Sequence, residues 1–372
     1  MHLSKHHYAM ALAKRENEVF FLNPPVQTGK GPAGQVDMVP HRQVANLHII
    51  NQRLFFPYIL KYKSMPLFHF FMRYQLRRVL KKMGKPVDIV WSFDLGNLIP
   101  FGLFPGKPFF IFHPVDEPLN QMAINAARGA NILFSVTHEI LRKYEHLPIG
   151  RHFVNHGVID EFVLDGNIPW KKPEITRIGY SGNLLRPDID RSILLEIVRQ
   201  NENCVFEFWG SFTERQSNIG GADNPETKSF IYALRGLPNV VLHGVVNPEA
   251  LAQALRRMDA FLICYDVIKD QCHGTNYHKV IEYLGIGRAI ISNNITTYSA
   301  IPDLVYMVEE RNTNQLLPAL FKKIVNDLEA YNSHERQSMR IGYAKQNTYA
   351  RQIEMIESLI ALPGRPIDQL QQ

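Results

Sequence analysis

From Gly274 to Asn293 the chain reads Gly-Thr-Asn-Tyr-His-Lys-Val-Ile-Glu-Tyr-Leu-Gly-Ile-Gly-Arg-Ala-Ile-Ile-Ser-Asn, which is in turn a loop, a helix, a tight turn and a buried strand. Thr275 is a suitable N-cap, so the backbone N–H groups of Asn276 and Tyr277 are expected to project from the helix start. Lys279 and Glu282 are three residues apart and are expected to share one face. Gly285 and Gly287 are expected to end the helix, and Arg288 leads into Ala289–Ser292. Free N–H donors beside an ammonium suit a diphosphate, whereas a carboxylate one to two turns deeper suits the hydroxyls of a ribose. A lone glutamate on a helix is usually a surface residue. Here Val280, Ile281, Tyr283 and Leu284 surround Glu282, and a carboxylate buried among them has to accept hydrogen bonds.

A second constellation precedes it. Ile178-Gly-Tyr-Ser-Gly-Asn-Leu-Leu185 reads as a strand followed by a glycine turn. Gly182 lets a backbone approach a ligand closely, Ser181 and Asn183 offer hydroxyl, amide and N–H groups to a phosphate, and Arg186 is the nearest cation. Downstream, Leu237–Leu251 holds another strand whose turn, His243-Gly244, is a candidate for contact with a base through its backbone; it also reads simply as a buried strand of Val and Leu.

Together these stretches resemble the nucleotide-sugar site of glycosyltransferases built from two Rossmann-like domains, the GT-B fold, and especially their family 4 branch. The resemblance is strongest over 176–310. It implies that Ser181, Gly182, Asn183, Arg186, Thr275, Asn276, Tyr277 and Lys279 face the donor diphosphate. His243 and Gly244 would border the base, and Glu282 would hold the ribose. It further implies a UDP- or GDP-sugar as donor, retention of anomeric configuration and no cofactor or metal. The chain departs from the pattern at Gly274, where the family often has a second glutamate that touches the donor sugar. It also begins at a helix where relatives usually open with a strand and a loop, so the first strand is expected to be absent.

In the first half, Phe112-His-Pro-Val-Asp-Glu-Pro118 follows a strand, the usual place for ligand groups in α/β folds. His113 and Asp116 are therefore the catalytic candidates, with His113 to orient or deprotonate an acceptor or else merely to cap a strand. His138 and His156 are also placed as in the resembled enzymes. Two patterns are set aside. Gly29-Lys-Gly-Pro-Ala-Gly34 matches GxGxxG, but Pro24 and Pro25 separate it from the strand and no helix follows. Asp188-Ile-Asp190 reads as the acidic start of a helix rather than as a metal-binding pair.

The elements needed to position these groups are those of an α/β protein. The 372 residues suit two domains, expected at 1–165 and 173–345, with a hinge near Pro169–Lys172. A terminal segment, 346–372, is expected to return to the first domain. Glu18–Leu22, Val87–Phe93, Phe109–Phe112 and Ile132–Val136 read as strands, Met65–Met83 as an amphipathic helix, and Gly29–Pro40 as a Gly/Pro-rich loop. In the second half strands and helices alternate, as in a parallel sheet. Apolar content of 45% with 20% charged residues is that of a soluble globular protein. Cys204, Cys264 and Cys272 are odd in number and lack CxxC spacing, which argues against a disulfide framework or zinc site and fits a cytoplasmic protein.

The net charge of +6 is uneven: the stretch between Asp37 and Asp88 has no acidic residue and ten Lys or Arg, leaving the remainder at −4. Residues 61–85 are thus expected to meet an anionic membrane surface, on the inner face of the plasma membrane, or a lipid-linked or carbohydrate acceptor, and not nucleic acid. The functional expectation is metal-independent glycosyl transfer from a nucleotide sugar. Alternatives are a nucleotide-sugar epimerase on the same fold and a non-enzymatic nucleotide-sugar or polyanion binding protein.

Overall fold

The computed structural model describes residues 4–26, 31–213, 224–270 and 273–360. Their contacts form two units, one spanning His156–Thr348 and the other containing 4–155 together with 349–360.

The first unit begins with helix α1 (Ser4–Lys14) and strands β1 (Val19–Leu22), β2 (Val36–Pro40) and β3 (Leu47–Gln52). They form a three-stranded sheet, with β3 central, parallel to β1 and antiparallel to β2. The loop expected over Gly29–Pro40 therefore gives way to a strand from Val36. Pro40 is compatible because it closes an edge strand, where a missing N–H costs no ladder bond. The GxGxxG look-alike falls partly at 27–30, outside the described residues.

Helices α2 (Leu60–Lys63) and α3 (Met65–Met83) follow, then β4 (Ile89–Ser92), β5 (Phe109–Phe112), α4 (Gln121–Asn125), β6 (Ile132–Ser135), α5 (His138–Arg142) and β7 (Gly150–Phe153). The four strands form a second sheet, parallel and in sequence order. β6 is buried along its whole length, as a central strand covered on both faces must be. Asn120 and Thr137 cap α4 and α5 through their side chains, accepting from Ala123 N at 3.0 Å and Ile140 N at 3.1 Å. α3 follows its apolar periodicity: Phe68, Met72, Leu76 and Val79 are buried, Pro66 sits in the first turn and Gly84 closes the helix.

The second unit is built from β8 (Thr176–Ser181), α6 (Arg191–Gln200), β9 (Cys204–Trp209), α7 (Pro225–Arg235), β10 (Val240–Gly244), α8 (Pro248–Leu255), β11 (Ala260–Ile263), α9 (His278–Ile286), β12 (Ala289–Ser292), β13 (Tyr306–Met307), α10 (Leu317–Asn326), α11 (Leu328–Tyr331) and α12 (His334–Gln346). All six strands are parallel, and within this unit their order is 3-2-1-4-5-6. The order reverses between β8 and β11, where Ile178 pairs with Ala260. The loops after these two strands leave the same edge in opposite directions and open a crevice there. Asp190 caps α6, accepting from Ile193 N at 3.3 Å, in keeping with its reading as the start of a helix.

The unit boundary precedes the Pro169–Lys172 stretch. Val158 is bridged to Thr348, and Leu164 N donates to Gly285 O, so 158–164 already belong to the second unit. The last helix, α13 (Tyr349–Leu359), packs against α1 of the first unit, with Arg15 paired to Glu354 and Glu357. Among the described residues no helix is long and apolar enough to cross a membrane.

Candidate functional site

The crevice of the second unit is lined by the loops after β8 and β11. Gly182 begins the first, and its N–H donates to Trp209 O at 2.8 Å. A Cβ at Gly182, whose φ is +150°, would lie 2.6 Å from Lys279 Nζ, so the lysine comes against the turn only because that side chain is missing. Lys279 Nζ donates to the Tyr265 hydroxyl at 2.8 Å and lies 4.3 Å from the Tyr180 ring centroid and 4.8 Å from that of Tyr265. Two electron-rich rings hold the ammonium. Among the described residues no carboxylate lies within ion-pair distance of it, which leaves a half-buried positive charge beside a backbone turn.

Arg186, the other expected phosphate cation, is already neutralised. Its Nε lies 2.8 Å from Asp188 Oδ1, its Nη2 contacts the same carboxylate, and Asp270 Oδ1 is 3.6 Å away. Hydrogen bonding to Asp188 outweighs desolvation and raises the guanidinium above its ordinary pKa. Asp188 therefore serves as a partner of Arg186, a role that its place before α6 does not reveal. Asp270, also buried, accepts from Gly274 N and from the Tyr277 hydroxyl, each at 2.9 Å. Burial, then the charge of Asp270, keeps the Tyr277 phenol well above its ordinary pKa.

The helix start differs from its expected position. α9 begins at His278, with extended Tyr277 in the cap position and no side-chain cap, so Thr275 is not the N-cap. The reason lies in the neighbouring loop. Thr296 N donates to Gly274 O, and the Thr297 N–H and hydroxyl both donate to Thr275 O, at 3.1 and 2.6 Å. Gly274 adopts φ +63°, and a Cβ there would meet Asn294 O at 2.9 Å and Val267 Cγ2 at 3.0 Å. A glutamate at this position is thus excluded by backbone as well as by sequence. Thr275, Asn276 and Tyr277 are all buried. Gly285 lies inside α9, and Gly287 alone is the C-cap.

Lys279 and Glu282 do not form a pair, because Lys279 reaches toward the tyrosines. Glu282 Oε1 is 3.4 Å from His278 Nδ1 instead, one turn back on the same helix. Ser181 is held internally: its hydroxyl lies 3.0 Å from the Tyr283 hydroxyl, and its N–H donates to that oxygen at 2.6 Å. The Asn183 carboxamide accepts from Leu185 N at 2.9 Å and braces the turn. On the neighbouring strand ends, His243 stacks on Trp209 at 4.7 Å and places Nε2 2.7 Å from the Glu207 carboxylate, which Arg177 also contacts. Gly244 O accepts from Gly210 N.

The first unit presents a different end to its strands. His113 follows β5, is fully buried and stacks with Trp91 and Phe93 at 5.9 and 5.0 Å, with Tyr8 and Phe134 close by. Among the described residues neither ring nitrogen has a hydrogen-bond partner, and burial lowers its pKa to about 3. Aromatic rings thus enclose the imidazole. Asp116, three residues on, is exposed but crowded. Desolvation raises its carboxyl, and Lys5 opposes the rise. His138 is exposed at the start of α5 and stacks on Phe153.

Sequence reasoning brought Gly182, Asn183, Arg186, Lys279 and Glu282 to the carboxyl edge of one sheet. It missed Tyr180, Tyr265, Asp188, Asp270 and His278. Only the i, i+4 spacing of His278 and Glu282 signalled any of these locally. Among the described residues no three His, Cys, Asp or Glu side chains are gathered as metal ligands.

No family model and no curated protein matches the sequence. Solved structures do resemble it. Sucrose-phosphate synthase from Thermosynechococcus elongatus superposes with a TM-score of 0.66 at 12% identity, over 94% of this chain and 90% of that one. An α,α-trehalose-phosphate synthase (UDP-forming) from Burkholderia vietnamiensis gives 0.62 at 10% identity, over 94% and 98%. HepE from Anabaena, in complex with UDP and glucose, gives 0.57 at 10% identity, over 92% and 100%. The chain thus has the GT-B fold of these glycosyltransferases, with two α/β units.

Proposed function

We propose that the protein is a glycosyltransferase that moves a sugar from a nucleoside-diphosphate sugar to a carbohydrate or lipid-linked acceptor. The observation that carries this reading is Lys279: a half-buried ammonium without a carboxylate partner among the described residues, against the Gly182 turn, at the strand-order reversal of a parallel sheet. A departing nucleoside diphosphate supplies the missing negative charge there, and a preorganised cation stabilises that charge as it develops. The N-terminal end of α9 adds its dipole. Glu282 accepts the ribose hydroxyls, Gly182 and Asn183 approach the diphosphate, and His243-Gly244 borders a uracil or guanine base. The fold shared with UDP-forming and UDP-bound enzymes supports a UDP-sugar first. The anomeric configuration is retained in this reading.

The Lys279→Met variant tests it. Loss of one charge-assisted contact of about 3 kcal/mol predicts roughly a 100-fold fall in kcat/KM for donor turnover. Radiolabelled UDP- and GDP-sugars and a thermal-shift panel measure this. Turnover at the wild-type level would remove the proposed diphosphate site, and binding without transfer to any acceptor would favour a non-enzymatic role.

The acceptor side of the reading rests on α3. Leu67, Phe70 and Tyr74 are exposed on it, with Arg73, Arg77, Lys81 and Lys82 around and beyond them. Among the described residues none of these four cations pairs with a carboxylate. A membrane leaflet of anionic phospholipid matches this stripe: apolar and aromatic side chains enter the interface while the cations meet headgroups. Arg78 contributes less, because its guanidinium lies 4.9 Å from the Phe55 ring centroid.

A further inference from the structure

We propose that His278 is a positioning residue for Glu282, clamping that carboxylate as an imidazolium and making donor binding dependent on pH. The inference rests on the reading of Glu282 as the ribose-binding group. Glu282 Oε1 lies 3.4 Å from Nδ1, within ion-pair distance when the ring is protonated. An imidazolium carries the positive charge that holds a carboxylate at this distance, and a neutral imidazole does not. Among the described residues Glu282 has no other hydrogen-bond or ion-pair partner, so Oε2 is left for a ribose diol while Oε1 is pinned.

The surroundings agree with a charged ring. Burial alone lowers the basicity of His278, but the carboxylate of Glu282 beside it outweighs burial and leaves the pKa above the ordinary value near 6.5. The His156 ring stands edge-on at 5.3 Å. Of the elements packed on α9, the turn Asp160–Phe162 carries Asp160 and Glu161, and α12 carries His334, Glu335, Arg336, Arg340, Tyr343 and Lys345; β12 carries no titratable residue. None of these groups comes within ion-pair distance of His278. Glu282 therefore decides its charge. As pH rises through the raised pKa the ring loses its charge, the ion pair with Glu282 is lost, and the carboxylate is released from its orientation.

The affinity of UDP-glucose and GDP-glucose, whose diphosphate diesters keep a constant charge near neutrality, measured from pH 6 to 8.5 tests this. For the wild type, Kd for the sugar nucleotide that binds is expected to rise about 3- to 10-fold over that range, on the scale of one oriented hydrogen bond. His278→Leu should bind weakly and equally at both ends. His278→Gln keeps one N–H toward Glu282 without titrating, and should bind tightly at both ends. A His278→Leu protein with wild-type affinity and pH profile would overturn the proposal. Weakening of His278→Gln to the level of His278→Leu would also overturn it. Unaltered binding by Glu282→Ala would instead remove the ribose reading on which the inference stands.

Discussion

The strand ends of the two units solve opposite electrostatic problems. In the second unit charge is drawn inward: Arg186, Asp188, Asp270, Lys279 and Glu282 cluster at the carboxyl edge of β8 and β11, and all of them except Lys279 meet a partner of opposite charge or a histidine. In the first unit charge is kept outside on α3, and the end of β5 is closed by rings around an uncharged His113. One strand end keeps a half-buried cation with no carboxylate beside it among the described residues, and the other surrounds its histidine with aromatic rings while the cations of α3 stand in solvent.

Removing a cation should separate the two most sharply. Arg186→Met leaves the buried carboxylates of Asp188 and Asp270 uncompensated, so a destabilisation of about 3 kcal/mol is expected in denaturant melts. Lys279→Met, with no carboxylate to abandon, should cost little stability and mainly activity. Equal destabilisation by both would erase the distinction between a structural and a functional cation.

Acid should act next, and on the first unit. His113 has a depressed folded pKa, so its contribution to stability is complete above the unfolded value near 6.5 and is lost as pH falls toward about 3. At pH 5 the unfolded chain gains about 2 kcal/mol by protonating this residue. Urea melts at pH 7 and pH 5 should show that loss in the wild type and its absence in His113→Phe. An identical pH dependence in the two proteins would mean that the aromatic enclosure does not set the pKa.

The smallest effects per residue belong to α3. Replacing Arg77, Lys81 and Lys82 by glutamine should weaken sedimentation with phosphatidylserine vesicles by about 1 kcal/mol for each charge, and salt should weaken it further. Phe70→Ser should reduce binding even at high salt. Vesicle binding insensitive to all four changes would leave the stripe as a solvated face.

Much of this was legible where the signal is local. α3 matches its expected span because the nineteen residues Met65–Met83 repeat one apolar stripe that Gly84 closes. β5 and the α/β alternation after Thr176 were equally plain, since buried parallel strands are short, largely apolar runs without alternation. β2 was hidden by the Gly and Pro residues that precede it. The start of α9 was misplaced because Thr275 is a good cap by type, yet its carbonyl is claimed by Thr297, from the loop after a different strand.

The sequence by itself determined the element types and the presence of Gly182, Lys279 and Glu282, because periodicity and turn chemistry are properties of neighbouring residues. Which cation would be left without a counter-ion was decided only by the tertiary structure. Asp188 is two residues from Arg186, but Asp270 and Tyr265 reach the crevice from the loop after β11. Strand order brings those loops together, and a charge in low dielectric is settled by what stands within a few ångströms of it, whatever its distance along the chain.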